Sequence, residues 1–323
     1  MSQSLIDTFD SVLSEDISAE EVVSLNRTKS KTANKNYKRN ERLLSLVLPA
    51  VEEYRKQVIF DEYTIVREAR RCLAGEVAPL EYSYIFIDDF QYMNSQNIRL
   101  LQAIMQNCDS HLIVAGSDWT AYNGKDAANT SFLQEFSRYF SNGISYSADK
   151  VFNLPEPICE NVSKYIKKDK NRTNYRAIIS KLTPKAQLND SLKIVDLKKA
   201  QDFTLPEDAK VLITGLYEKD EESAKIFTDK GYIYKNIYDV DEKYDYVLWM
   251  NTRYVNEPYA NPVLHENNVA ELINVSGEIY PGARDRNMLC KAAMMAKKVF
   301  VLVIDGDNVA DEIGEFIKDA KIQ

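Results

Sequence analysis

Two adjacent carboxylates end the first strongly apolar segment of this chain. The run Tyr82-Ser-Tyr-Ile-Phe-Ile is followed directly by Asp88 and Asp89. Such a run is typical of a parallel strand that is buried on both faces. In α/β folds, ligands bind at the carboxyl ends of parallel strands, where one carboxylate can hold a magnesium ion and a second can orient a water molecule. Asp88 is therefore a candidate metal ligand.

Helical and strand-like hydrophobic periods alternate around these carboxylates. Apolar residues recur at helical spacing over residues 4–25, 41–56 and 61–74, before the apolar run begins. Later segments alternate, with predicted strands at 111–116, 150–154, 192–197, 210–215, 231–235, 244–250 and 298–304 and predicted helices at 95–108, 129–139, 156–168, 221–230, 285–296 and 308–320. This alternation predicts an α/β fold with parallel sheets. A polar stretch with the Asn142-Gly143 turn divides the chain into predicted domains at residues 1–146 and 147–323.

The amino-acid composition limits the kinds of partner that this protein is expected to bind. The 41 basic and 49 acidic residues give a formal charge of -8, which argues against a non-specific nucleic-acid coat. Four dispersed cysteines and two histidines argue against a zinc site or a disulfide framework. The chain has neither an amino-terminal signal pattern nor an apolar run near the roughly 20 residues that span a bilayer. The sequence therefore predicts a cytoplasmic protein without a membrane partner.

Five blocks in order resemble the motifs of the UvrD/Rep-like superfamily 1 DNA helicases, and the helicase IV branch is the most similar. The block Tyr84-Ile-Phe-Ile-Asp-Asp-Phe-Gln resembles the Walker B segment, and Leu112-Ile-Val-Ala-Gly-Ser-Asp-Trp resembles motif III. Residues 152–169, 244–251 and 286–302 resemble motifs IV, V and VI.

This resemblance implies a fold and a domain plan. It implies two RecA-like, P-loop NTPase-like parallel-sheet domains, the first of which is N-terminally incomplete. Residues 1–146 would form a partial domain 1A with a 1B-like helical remnant, and residues 147–323 would form a 2A-like domain.

The resemblance also implies which residues belong to the site. Asp88, Asp89 and Gln91 correspond to a vestigial Walker B element of an ATP and magnesium site. A second group lies at the end of the motif III block and just after it, and consists of Trp119, Tyr122 and Lys125. The resemblance implies that these residues contact single-stranded nucleic acid. Aromatic side chains at such positions can stack on bases. The basic segment from Arg27 to Arg42 is either a solvated loop or an arm that follows a nucleic-acid backbone.

Several departures from the family pattern remove the means of hydrolysing ATP. The chain contains no G-x-x-x-x-G-K-[ST] loop, whose amides and lysine cradle phosphates. The motif IV arginine falls at about Pro155, and the motif VI arginine falls on Met295. Loss of one such arginine lowers phosphoryl-transfer rates roughly 10³–10⁵-fold. We therefore expect no bound cofactor and no hydrolysis by this chain alone.

Three functional interpretations stay open. The first is a non-hydrolysing subunit or scaffold that binds a second protein subunit, with DNA as a further partner. The second is one half of a split ATP-dependent DNA helicase whose partner supplies the Walker A loop. The third is a single-stranded nucleic-acid binding module. The resemblance alone points to DNA repair or anti-phage defence and does not choose between them.

Overall fold

The computed structural model describes residues 2–29, 35–57, 61–75, 80–118, 130–168, 177–182, 190–251, 283–306, 309–318 and 320. Described residues up to Gly143 form one compact unit, unit 1, and those from Ile144 onward form a second, unit 2. Both units are mixed α/β, and every strand pair among the described residues is parallel. The predicted α/β fold with parallel sheets is therefore confirmed.

Unit 1 begins with three helices: α1 (Ser2–Ser14), α2 (Ala19–Lys29) and α3 (Lys35–Lys56). Both α1 and α2 pack on α3 around a core of small aliphatic side chains: Val12, Leu13, Val22, Leu44, Val47 and Val51. Ser18 and Glu21 cap α2 reciprocally, through the Ser18 Oγ at 3.2 Å and the Glu21 Oε2 at 2.9 Å.

The helices of this region extend further than the sequence predicts. The basic segment from Arg27 to Arg42 is expected to be a solvated loop or an arm, but residues 27–29 end α2 and residues 35–42 form the first turns of α3. The sequence also predicts that Pro49 kinks or interrupts the next helix, and α3 continues without interruption through Pro49 to Lys56. The packing of α3 against α1 and α2 outweighs the weak local preference of these residues, because burial of an amphipathic face supplies most helical stability.

The second part of unit 1 alternates helices and strands. α4 (Glu62–Ala74) is capped by Asp61 and is followed by β1 (Tyr84–Ile87), α5 (Ser95–Asn107) and β2 (His111–Val114). Two one-turn helices follow, α6 (Ser131–Gln134) and α7 (Phe136–Tyr139).

The β1–β2 sheet is buried on one face only, so the expected burial on both faces is wrong. Tyr84 pairs with His111 and Phe86 pairs with Ile113, which places these four side chains on one face. The opposite face packs on a core that contains Phe90, Ile98, Leu101 and Phe132. The exposed side chains receive no covering layer from the described part of unit 1.

Unit 2 contains a five-stranded parallel sheet in the order β5-β9-β8-β6-β7. A short parallel pair precedes it, formed by β3 (Lys150–Val151) and β4 (Ile179–Ser180). The strands of the large sheet are β5 (Leu192–Asp196), β6 (Val211–Gly215), β7 (Tyr234–Asn236), β8 (Tyr244–Asn251) and β9 (Ala296–Ile304). Each lies within a few residues of its predicted position.

Helices cover both faces of this sheet. They are α8 (Glu156–Lys167), α9 (Glu218–Ser223), α10 (Lys225–Thr228), α11 (Ala283–Met294) and α12 (Asp311–Lys318). Phe227 of α10 packs with Val301 on one face, whereas Phe316 of α12 meets the neighbouring Phe300 on the other, with ring centroids 6.0 Å apart. None of the helices described has the length and apolar character needed to cross a membrane.

Candidate functional site

The predicted site residues of unit 1 lie where β1 and β2 end side by side. Asp88 and Asp89 follow β1, and Gly116, Ser117 and Asp118 follow β2. The ladder continues beyond both strands, because the Ala115 amide donates to the Ile87 carbonyl at 2.9 Å and the Phe90 amide donates to the Ala115 carbonyl at 2.9 Å. The two loops are thus held together at the carboxyl edge of the sheet.

Gln91 joins these two loops through its side-chain amide. Its Nε2 donates to the Asp89 Oδ1 at 2.9 Å, and its Oε1 accepts from the Ser117 amide at 3.0 Å. Gln91 is only 2% exposed. A Cβ at Gly116 would lie 2.6 Å from this Oε1, so only glycine allows the close approach. Gln91 belongs to the block that resembles a Walker B segment, and the structure adds its bridging contacts.

The two carboxylates of the loop are exposed, and their backbone is unusual. Asp89 has a φ of 53° and lies in the left-handed region, which aspartate tolerates better than most residues. The Asp89 amide donates to the Asp88 Oδ1 at 2.9 Å, which stabilises this conformation. Magnesium commonly binds one or two carboxylates and keeps several waters. Among the described residues no group of three or more metal-ligating side chains occurs, so metal binding by Asp88 stays a prediction.

The structure describes only part of the neighbouring segment that resembles motif III. The Gln134 Nε2 of α6 donates to the Asp118 Oδ2 at 2.9 Å, which connects α6 to the loop after β2. Trp119, Tyr122 and Lys125 lie outside the described residues. Their role in binding nucleic acid therefore stays a prediction.

An apolar surface accompanies this loop pair on the exposed side of the sheet. We call it the outer face; it comprises Tyr84, Phe86, His111 and Ile113. Tyr84 is 58% exposed, Phe86 is 71% exposed and Ile113 is 46% exposed. The Tyr84 ring lies 6.2 Å from the Phe86 ring and 5.4 Å from the His111 ring. Three large apolar side chains and an imidazole thus form one continuous exposed patch.

Unit 2 has its own sheet edge of interest, between β6 and β8. The chain leaves β6 toward β7 and leaves β8 toward β9, so these neighbours form a topological switch point, where α/β sheets commonly bind ligands. Asp220 of α9 occupies this edge: its Oδ2 accepts from the amides of Leu216 and Tyr217, each at 3.2 Å. A Cβ at Gly215 would lie 2.6 Å from the Asp220 Cβ. The Asp220 carboxylate thus accepts hydrogen bonds from the backbone amides that directly follow β6.

Sequence reasoning missed this second arrangement. The Tyr217 hydroxyl donates to the Asp285 Oδ2 at 2.7 Å, which links the loop after β6 to α11. Asp220 and Asp285 are both buried. The sequence contains one pattern that could have indicated it: a predicted strand ends at Gly215, and an aspartate follows five residues later at the start of a helix. This is a common capping pattern, so it does not indicate a particular site.

The block that resembles motif VI is apolar where the helicase pattern is cationic. Met288 is fully buried in α11, and Met295, which corresponds to the motif VI arginine in that resemblance, is half-buried just before β9. The Lys291 Nζ donates to the Ile237 carbonyl at 2.9 Å, so this cation serves the fold of unit 2.

Comparison of the chain with protein-family models and with curated proteins found no match. The resemblance of five sequence blocks to superfamily 1 helicase motifs therefore stays a prediction.

Proposed function

We propose that this protein is a non-hydrolysing, helicase-like subunit that binds a second protein chain through the outer face of its β1–β2 sheet. In this proposal both units are RecA-like. The single observation that carries it is the exposure of Tyr84, Phe86 and Ile113 on one side of a parallel sheet.

Parallel sheets are normally covered on both faces, because their strands are apolar on both sides. The outer face therefore offers aromatic surface that a partner can bury, and each aromatic side chain contributes up to about 150–250 Å². At about 25 cal/mol per Å² such burial supplies several kcal/mol toward binding.

The small size of this sheet indicates what kind of partner fits. A four-residue strand is about 13 Å long, so the outer face alone is well below the roughly 800 Å² that one partner buries in a stable complex. Within the described residues β1 and β2 pair only with each other, which leaves one edge of each strand unpaired. We infer that the partner pairs with an edge and covers the outer face, and that it is a different protein. A formal charge of -8 on each copy opposes self-association.

One feature of unit 2 supports the absence of hydrolysis. Half-buried Met295 stands where the helicase pattern has its charge-stabilising arginine. A thioether cannot stabilise the negative charge of a phosphoryl-transfer transition state.

One observation favours the split helicase as a second candidate. Asp88 and Asp89 are exposed at the carboxyl edge of the sheet, and Gln91 holds their loop against Ser117. This arrangement could hold magnesium if a partner supplied the phosphate-binding loop.

The test uses a charge on the outer face. Phe86→Glu should abolish recovery of a stoichiometric partner during tagged purification from the native host, because a carboxylate would have to be buried in the interface. Ile144→Glu is the matched control, since Ile144 is an apolar side chain of unit 2 that is 79% exposed. Native mass spectrometry measures the stoichiometry. Equal recovery with both variants, or a bare monomer for the unchanged protein, would contradict the proposal.

The two candidates differ in the activity of the purified complex. The scaffold proposal expects no ATP hydrolysis above background. Hydrolysis that is lost in Asp89→Asn would instead establish the split enzyme, in which this chain supplies the carboxylates.

A further inference from the structure

A basic cavity of about 620 Å³, widely open to solvent, lies among the helices of unit 1 and shares no lining residue with the outer face. It is bounded by α4 and α5, the end of α3 and the turn between α1 and α2. Its charged lining consists of five arginines and two carboxylates: Arg55, Arg67, Arg70, Arg71, Arg99, Asp16 and Glu68. We call it the arginine cavity.

The lining contains more basic than acidic side chains, and all its basic side chains are arginines. Five arginines against two carboxylates leave a formal excess of three positive charges. The chain has more lysines than arginines, yet no lysine of the described residues lines the cavity. Arginine differs from lysine in its planar fork of donors, which matches phosphate and carboxylate oxygens in pairs. The arginine-only composition of the lining therefore favours a site that binds an oxyanion over a basic surface that is simply solvated.

Backbone carbonyls and one carboxylate hold four of these guanidinium groups in place. Asp16 accepts from Arg70, and the Arg99 Nη1 donates to the Asp16 carbonyl at 2.7 Å. The Arg55 Nη2 donates to the Ile17 carbonyl at 2.9 Å, and the Arg67 Nη2 donates to the Arg55 carbonyl at 3.1 Å. These contacts fix the side chains before any ligand arrives, which lowers the entropic cost of binding.

The same guanidinium groups keep donors to spare. In the described part of the chain, the Nε and Nη2 atoms of Arg70 and Arg99 make no hydrogen bond. Asp16 is the acidic partner of both, with its Oδ2 3.6 Å from the Arg99 Nη1. Carboxylates outside the lining act on the same arginines: Glu52 lies 3.5 Å from Arg55, and Arg99 interacts electrostatically with Glu15 and Glu21. The positive charge of the lining is therefore partly balanced, and the spare guanidinium donors are what a ligand would meet.

We propose that the arginine cavity binds a phosphate monoester of nucleotide size. A monoester carries about -1.5 to -2 charges near pH 7 and presents several acceptor oxygens, which suit the unused donors of the planar guanidinium groups. The volume falls within the roughly 300–1,000 Å³ of small-molecule sites and exceeds the needs of a phosphate group alone. Gln102 and Gln106 of α5 also line the cavity and offer amide groups to the esterified part. The ligand is either a free mononucleotide or the 5′-phosphate end of a nucleic-acid strand.

This site goes beyond the proposed function and does not depend on the outer face. Failure of the Phe86→Glu test would leave it standing, because the two surfaces share no residue.

The test compares two exposed arginines in similar local surroundings. The Arg71 side chain is 81% exposed and lies 3.3 Å from Glu68, three residues earlier. The Arg138 side chain is 70% exposed and lies 2.8 Å from Glu135, also three residues earlier, but it does not line the cavity. Arg71→Gln and Arg138→Gln thus remove the same charge, and neither is expected to perturb folding because such exposed pairs contribute little.

Titration calorimetry at low salt would use AMP, adenosine, and a six-nucleotide single strand with and without a 5′-phosphate. We expect AMP to bind and adenosine not to bind. Arg71→Gln should weaken AMP binding roughly tenfold, since one charge-assisted hydrogen bond is lost, and Arg138→Gln should leave it within about twofold. Arg71→Lys should give an intermediate affinity, because it keeps the charge and loses the fork.

Both ligand sources support the proposal and are told apart by affinity. Tighter binding of the phosphorylated strand than of AMP identifies a strand end, and equal, weaker or absent binding of that strand identifies the free nucleotide. Absence of AMP binding at millimolar concentration, equal effects of the two glutamine variants, or measurable strand binding that does not change when the 5′-phosphate is removed would each overturn the proposal.

Discussion

Gln91 illustrates how a single buried amide shapes the edge of the first sheet. Its side chain both donates and accepts, so it joins the carboxylate of Asp89 to the backbone of Ser117. Asp89 can stay in the left-handed region because its neighbours satisfy its polar groups. The residue types of this site followed from the sequence, whereas the bridge between two loops did not, because it joins positions 26 residues apart.

At the residue scale, we predict that Gln91→Ala loosens this edge. Loss of both hydrogen bonds leaves polar groups without partners and costs about 1–3 kcal/mol. Hydrogen–deuterium exchange over residues 84–118 should therefore speed up by about tenfold or more. Asp88→Asn is the control, because the amide oxygen that replaces the exposed carboxylate can still accept from the Asp89 amide, and such surface changes stay within about 0.5 kcal/mol. Unchanged exchange in Gln91→Ala would show that the bridge is not needed.

At the element scale, α3 is a helix that its packing maintains against its local sequence. Pro49 has no amide hydrogen and cannot bond the Ser45 carbonyl, yet the helix runs from Lys35 to Lys56. Val47 and Val51, on either side of Pro49, are both buried in the core with α1 and α2. Sequence reasoning placed the helix and misjudged its length, because local propensity cannot weigh contacts with other helices.

Pro49→Ala should stabilise unit 1 for this reason. Pro49 is exposed, so the change restores a backbone hydrogen bond without altering the core. Alanine is about 3 kcal/mol better than proline inside a helix, and the added freedom of the unfolded chain offsets about 0.4–1 kcal/mol of this. Urea unfolding should show a higher midpoint with an unchanged slope. Ser45→Ala, one turn earlier and also exposed, should change stability by less than about 0.5 kcal/mol; destabilisation by Pro49→Ala would contradict the prediction.

At the scale of the whole molecule, the two units differ in how completely they bury their sheets. Unit 2 encloses a five-stranded sheet between helices, and ionisable groups lie within it. Burial raises the pKa of the Cys159 thiol from 9.0 to about 12. Burial also raises the pKa of the Tyr165 hydroxyl well above 10.0 and that of Tyr234 in the same direction. Each of these groups favours its neutral form in the folded protein.

We therefore predict that unit 2 loses stability at alkaline pH. These groups have a higher pKa in the folded protein than in the unfolded chain, and this difference stabilises the folded protein. The stabilisation is complete at pH values below the pKa of the unfolded chain, and it is lost as the pH rises from that value toward the pKa of the folded protein. The melting temperature of unit 2 should fall progressively above about pH 9, where unfolded thiols and then phenols ionise. A Trp119→Phe variant leaves Trp249, which is 2% exposed in β8, as the sole tryptophan reporter of unit 2. Cys159→Ala in that background should flatten the decline near pH 9–10; a melting temperature independent of pH up to about 11 would refute this interpretation.

Local sequence patterns were enough to predict most helices and strands of this protein and the types of residue at its first sheet edge. Hydrophobic period and strand-end carboxylates are local properties, so β1 and the five strands of unit 2 could be located, and Asp88, Asp89 and Gln91 could be singled out.

Which sheet faces are covered, and which distant side chains meet, became visible only in the folded chain. The structure showed that Phe86 faces outward, that Asp220 takes the amides after β6, and that arginines from three helices line one cavity. Each of these depends on contacts between segments far apart in the chain. A one-dimensional pattern carries no information on such contacts, because burial and charge excess are properties of the assembled surface.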